Sequence, residues 1–166
     1  MSTLAEKILE NGSVNQLYEK FASELFSELK QTSKEWLRSS RDRFLFETFI
    51  MQAGSSNRHF LNEIIDILQV VMHPDRDPEV RNQCLILVAN LLQFIDGFET
   101  NLSVDVLINE CILPNMQWKA GRTAAALRAT AIATLWALFQ SKTFHFQQVT
   151  YFKSFPISRV VHLILV

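Results

Sequence analysis

The chain has 166 residues, 48% of them hydrophobic and 20% charged, with only four glycines and four prolines. Apolar surface is therefore ample to offset the entropy of ordering, which excludes a disordered or collagen-like chain. Sixteen basic against seventeen acidic residues leave a net charge of −1, a poor match for a protein that neutralises many phosphates, so no nucleic-acid partner is expected.

The scarce breakers punctuate the chain, and between them apolar residues recur at three and four, the period of a helix with one buried face. Leu4 to Glu10 reads as the end of a helix stopped by Asn11-Gly12. Ser13 with Gln16 forms a capping box for a second helix, whose stripe is Leu17, Phe21, Leu25 and Leu29, broadened by Tyr18, Ala22 and Phe26. Thr32 with Glu35 predicts a further helix start, carrying Trp36, Leu37, Phe44, Leu45, Phe49 and Ile50 up to Ala53-Gly54. The Ser55-Ser56-Asn57 cluster opens a helix bearing Phe60, Leu61, Ile64, Ile65, Leu68 and Val71.

Asp77 as N-cap and Pro78 at the first helical position start the next helix. Its core face is Val80, Cys84, Leu85, Leu87, Val88, Leu91, Leu92 and Ile95, ended by Asp96-Gly97. Ser103 caps a shorter helix from Val104 to Leu113, and Gly121 precedes a long one running to about Gln140. No stretch before residue 141 alternates as a strand would. The fold class expected is all-α.

The chain also repeats itself. Pro78 to Leu85 aligns with Ala125 to Ile132 at an offset of 47, and the same offset lays Phe60 to Ile65 on Leu107 to Ile112. Two helices per unit at 40–47 residues is the period of HEAT and armadillo arrays. The segments 13–31 and 33–53 make a first, degenerate pair. Through Asp75-Arg76-Asp77-Pro78-Glu79-Val80-Arg81 the sequence resembles the HEAT family. That resemblance implies a solenoid of antiparallel helix pairs in which Asp75 and Arg81 form a ladder along the stacking edge. The third repeat keeps Leu127-Arg128 but has Arg122 where the Asp would stand. Three pairs without polar caps predict a piece, or a short isoform, of a longer array.

Two cysteines, Cys84 and Cys111, make no disulfide framework and fit a reducing compartment. Met1 to Glu10 lacks the apolar core of a signal peptide, and no apolar run approaches the ~20 residues of a membrane span. A cytoplasmic chain with no membrane partner is expected. His73, Asp75 and Asp77 share one turn, but a calcium loop needs more oxygen ligands and a glycine pivot. Neither cysteine has a histidine at a neighbouring helical position, and no phosphate loop or zinc motif occurs. No catalysis, cofactor, metal or small-molecule substrate is therefore expected. Lys34, Arg38 and Arg41 line one helical face, either as a solvated mixed-charge surface beside Glu35 and Asp42 or as a contact for an acidic partner.

The block Trp118 to Arg128, continuing through Ala133 to Leu138, resembles the HEAT-repeat dynein axonemal assembly factors. The likeness covers residues 1–140 and is most specific over 113–139. It implies a non-enzymatic cytoplasmic scaffold for preassembly of the dynein arms of motile cilia, with dynein intermediate chain and other assembly factors as partners. No family motif assigns that contact to particular residues. The alternative is a protein-binding HEAT scaffold of another pathway, such as transport or phosphatase regulation.

The contact surface expected is that of the second helices of successive pairs. On the second pair the positions off the core stripe are Glu79, Asn82, Gln83, Ile86, Asn90 and Gln93. Shifted by 47 they become Ala126, Ala129, Thr130, Ala133, Ala137 and Gln140, a face of small side chains open to a partner helix or to a following repeat. Residues 1–140 form the array. Residues 141–166 are expected to form a divergent hydrophobic tail, with Lys142, Lys153 and Arg159 its only charges. The tail either covers the open face of the last helix or is an aberrant terminus.

Overall fold

Helix-forming periodicity and well-placed breakers give a chain that is helical nearly throughout the residues described in the computed structural model, 14–94 and 104–140. The expectations for Leu4 to Glu10, the Ser13 cap, Ile95 to Gly97, the Ser103 cap and the tail 141–166 lie outside them. Six helical segments follow in order. Helix α1 spans Val14–Thr32, α2 Arg41–Ala53, α3 Leu61–Val71 and α4 Pro78–Phe94. Segment α5 begins at Val104–Val106, continues as a π-helix over Leu107–Ile112 and closes with a 3₁₀ turn at Leu113–Met116. Helix α6 spans Arg122–Gln140. No strand occurs among the described residues.

The helices pack as a two-layer all-α solenoid. One layer runs α1, α3, α5 and the other α2, α4, α6, with each pair also packed on itself. Polar ties run along the first layer: Lys30 Nζ meets Asp66 Oδ2 at 2.5 Å, and Gln69 Nε2 donates to Glu110 Oε2 at 2.5 Å. In the second layer α4 and α6 make the most extensive contact among the described residues, fastened by Thr134 Oγ1 donating to Leu85 O at 3.1 Å. The middle helix α3 has neighbours on several sides, so Ile67 is fully buried beside the expected Ile64, Ile65, Leu68 and Val71.

Burial follows the 47-residue offset. Val80 and Leu127, Cys84 and Ala131, Val88 and Leu135, Leu91 and Leu138 are equivalent pairs, and all are buried. So are Leu61 with Ile108, Ile64 with Cys111, and Ile65 with Ile112. At the first pair an aromatic cluster fills the space between layers. Phe26 sits edge-on to Phe46 and Phe49 with centroids 6.3 and 5.9 Å away, and Trp36 stacks obliquely on Phe46 at 5.5 Å.

Two helix starts differ from the sequence reading. The chain after Thr32 makes only a 3₁₀ turn, Ser33–Glu35, and α2 begins at Arg41. Thr32 Oγ1 donates to Asp42 Oδ2 at 2.7 Å and accepts from Trp36 Nε1 at 3.1 Å, so the hydroxyl joins two elements instead of capping one. This moves Leu37 and Phe44 off the core, to 57% and 64% exposure. Arg43 turns inward instead, its Nε and Nη2 donating to Arg38 O and its Nη1 to Glu47. Likewise Asn57 does not cap an α-helix: it lies within a 3₁₀ segment, Gly54–Phe60, and α3 begins only at Leu61. Asn57 is fully buried, and its Nδ2 donates to Ile50 O at 2.8 Å and Gly54 O at 2.9 Å, satisfying carbonyls at the end of α2. The glycine breakers behave as expected: Gly54 ends α2 and Gly121 precedes α6, with φ of +53° and +106°, values that side chains disfavour.

Candidate protein-interaction face

Asp77 begins the face, because its Oδ1 accepts from Glu79 N at 2.9 Å and Val80 N at 3.0 Å and so fixes where α4 starts. From that start Glu79, Ile86 and Gln93 recur every seven residues and are exposed, Ile86 to 39%. Asn82, Gln83 and Asn90 beside them are half-buried. On α6 the exposed row is Ala126, Ala129, Ala133, Trp136 and Gln140. Thr130 is half-buried, with Oγ1 donating to Ala126 O at 3.1 Å.

One expectation for this row is corrected. Ala137 is only 6% exposed, whereas Trp136 stands out at 62%. A helix advances 100° per residue, so a row through 126, 129 and 133 continues to 136 and 140, while position 137 falls at the edge of that row nearest the buried Thr134 and Leu127. The tryptophan was legible at that spacing, but the sequence reading assigned it to neither face.

The structure brings Glu79, Asn82, Gln83 and Ala126 together. With Arg38, Pro78, Arg122 and Thr123 they line a shallow groove of about 360 Å³ where the loop before α2 meets α4 and α6. Arg38 Nη1 lies 3.6 Å from Glu79 Oε2, both well exposed, so the pair contributes little to stability. Ile86 and Ala133 lie further along the same two helices. Lys34, Arg38 and Arg41 do not share a helical face: Lys34 is in the 3₁₀ turn, Arg38 precedes α2 and Arg41 begins it.

The ladder residues are distributed differently from the spacing rule. Asp75 is exposed, its Oδ2 3.4 Å from His73 Nδ1. Arg81 is 7% exposed and its Nη1 donates to Asn115 Oδ1 at 3.0 Å, in the turn of the following pair. Asn115 in turn donates to Met72 O at 3.0 Å and to Cys111 O at 2.6 Å. One amide thus links the turn after α3, the end of α5 and the start of α4. Desolvation holds the Arg81 pKa below its ordinary value, opposed by the charges of Asp77 and Asp75. Asp75 therefore acts on Arg81 by its field, while the hydrogen bond goes to Asn115. Arg128 is half-buried, and its Nη1 has no hydrogen-bond partner among the described residues. Asn115 was missed because it occupies the place of Leu68, 47 residues earlier, where only an apolar residue was expected.

Both thiols are shut in. Burial is the main cause that raises the Cys84 pKa far above the thiol range and pushes Cys111 up to about 12, with Glu110 adding to the latter. Neither supplies a thiolate at neutral pH. Among the described residues no three His, Cys, Asp or Glu side chains gather as a metal site, and no helix is long and apolar enough to cross a membrane.

The sequence is similar to dynein axonemal assembly factor 5 of Mus musculus, with 35% identity over 154 residues covering 90% of this chain and 18% of the relative. The Xenopus laevis protein of the same name is 29% identical over 89% of the chain and 18% of its own length. The Homo sapiens protein is 28% identical over 82% and 17%. The chain thus spans less than a fifth of the curated relatives it matches. No family model matches the chain, and no solved structure matches it.

Proposed function

We propose that this chain is a stretch of a non-enzymatic HEAT-like scaffold that binds dynein intermediate chain and other assembly factors during cytoplasmic preassembly of axonemal dynein arms. The observation that carries the reading is the similarity, over some nine-tenths of the chain, to proteins named dynein axonemal assembly factor 5. The stacked α4 and α6 supply a surface suited to the role. Glu79, Asn82, Gln83, Ile86, Asn90 and Gln93 give a polar strip with one exposed isoleucine, and Ala126, Ala129 and Ala133 let a partner helix approach closely. A continuous face across successive pairs is what solenoids present to polypeptides. Residues 1–140 act as the array in this reading, and 141–166 as an appended tail.

The test is recovery of dynein intermediate chain on the immobilised chain from the cytosol of ciliated cells, detected by antibody against a bead control. Enrichment supports the assembly role. Absence of intermediate chain, with a transport or phosphatase component recovered in its place, favours a scaffold of another pathway.

A further inference from the structure

We propose that the cavity at the start of α6 is a carboxylate-binding pocket that takes an Asp or Glu side chain from an acidic segment of a partner protein. This rests on the scaffold reading and specifies the chemistry of one anchor. The cavity holds about 310 Å³ between the start of α4 and the loop leading into α6. Arg81, Lys119 and Arg122 line it, and no Asp or Glu does. In a chain whose charges nearly balance, three cations around one small cavity form a local excess.

Arg81 shows what that excess is poised for. Arg81 is 7% exposed as a whole residue, and its Nη1 is used on Asn115. Nε is buried and has no partner among the described residues. Leaving a buried, charged N–H unbonded is costly, and a turn of the guanidinium that bares its Nε edge to the cavity would let it clamp a planar carboxylate through two parallel donors. Arg122, Thr123 and Ala124, the first turn of α6, border the same cavity. No acidic residue stands in that turn, so its outward N–H groups and dipole also favour an anion. In α4 the corresponding need is met from within the chain by Asp77.

A carboxylate fits better than a phosphate dianion. Asp77 and Asp75 already act on Arg81 and offset part of its charge, leaving an excess suited to a single negative charge. Exposed Trp118, next to Lys119, offers apolar contact to the flanking peptide.

The test follows the arginine Nε–Hε resonances by ¹⁵N NMR on the full chain, titrated with a blocked peptide of alternating Glu and Gly, and separately with inorganic phosphate. A saturable shift of the Arg81 Nε–Hε signal and of the Arg122 to Ala124 amides is expected with the peptide. The double variant Lys119→Glu, Arg122→Glu changes exposed side chains only, so it stays folded, and it should weaken the peptide about tenfold. Arg81→Lys keeps the charge, loses the forked edge and should also weaken it. An unmoved Arg81 signal, a double variant that titrates like wild type, or a response to phosphate alone overturns the proposal. Ile86→Asp and Ala133→Glu lie outside the pocket and should leave the titration unchanged. Loss of intermediate-chain binding in those two, with the peptide response intact, therefore separates a failure of the docking face from a failure of the pocket.

Discussion

Replacing Asn115 by alanine removes a side chain that ties two turns of the solenoid together. Asn115 is 3% exposed and makes three hydrogen bonds: it accepts from Arg81 Nη1 at 3.0 Å and donates to Met72 O and Cys111 O at 3.0 and 2.6 Å. Alanine strands two carbonyls and a second edge of the Arg81 guanidinium. Each buried group left unpaired costs about 1–3 kcal/mol. Relaxation and water entry at the nearby cavity recover part of that, so the expected loss is about 3–5 kcal/mol. Asn115→Asp is the informative companion. It keeps an acceptor for Arg81 but turns a negative charge on the two carbonyls, so it should also destabilise, and less so as acid protonates the carboxyl. Urea unfolding followed by far-ultraviolet circular dichroism reads both. A loss below about 1 kcal/mol in Asn115→Ala would show that the amide is not the link between turns.

Leu135→Ala, at a fully packed position of α6, should cost about 2–5 kcal/mol, and a negligible change would refute the register of that helix. Gly121→Ala forces a side chain into a φ of +106° and should destabilise by about 1–3 kcal/mol without altering helix content, as judged by thermal unfolding. Trp136→Ala and Trp118→Ala should each leave stability within about 0.5 kcal/mol, because both side chains stand in solvent; a larger loss in either would place it in the core. The thiols give a pH dependence of definite sign. Their folded values lie above the ordinary 9.0, so the unfolded chain releases protons first as pH rises. Stability should then fall between about pH 9 and 12, and should not in a Cys84→Ala, Cys111→Ala variant compared over the same range.

The layers of the fold were legible because they rest on periodicity. The buried stripes of α4 and α6, the glycine breakers at 54 and 121, and the Asp77 cap all follow from local rules about spacing and backbone freedom. What escaped was polar and nonlocal. Thr32 and Asn57 carry side chains typical of caps, and sequence placed both at helix starts from their immediate neighbours, whereas Asn115 was given no role. In the structure each bonds to groups set by tertiary packing: Thr32 to Asp42, Asn57 to the end of α2, Asn115 to three separate segments. The π-helical segment Leu107–Ile112 was illegible for a similar reason. Its residues repeat the apolar pattern of α3, and nothing local marks the wider hydrogen-bond spacing. On the candidate face the exposed row of α4 was readable from spacing, whereas the groove at its start depends on the loop before α2 meeting α4 and α6.

Binding of purified dynein intermediate chain to the chain and to two folded variants, Ile86→Asp and Ala133→Glu, tests the account most directly, with biolayer interferometry as the readout. The variants place a charge on α4 and on α6 at exposed positions, so each should bind at least about tenfold more weakly than wild type if the α4 and α6 surface is the docking site. Wild-type affinity retained in both would contradict that surface, and no binding by wild type would contradict the proposed partner.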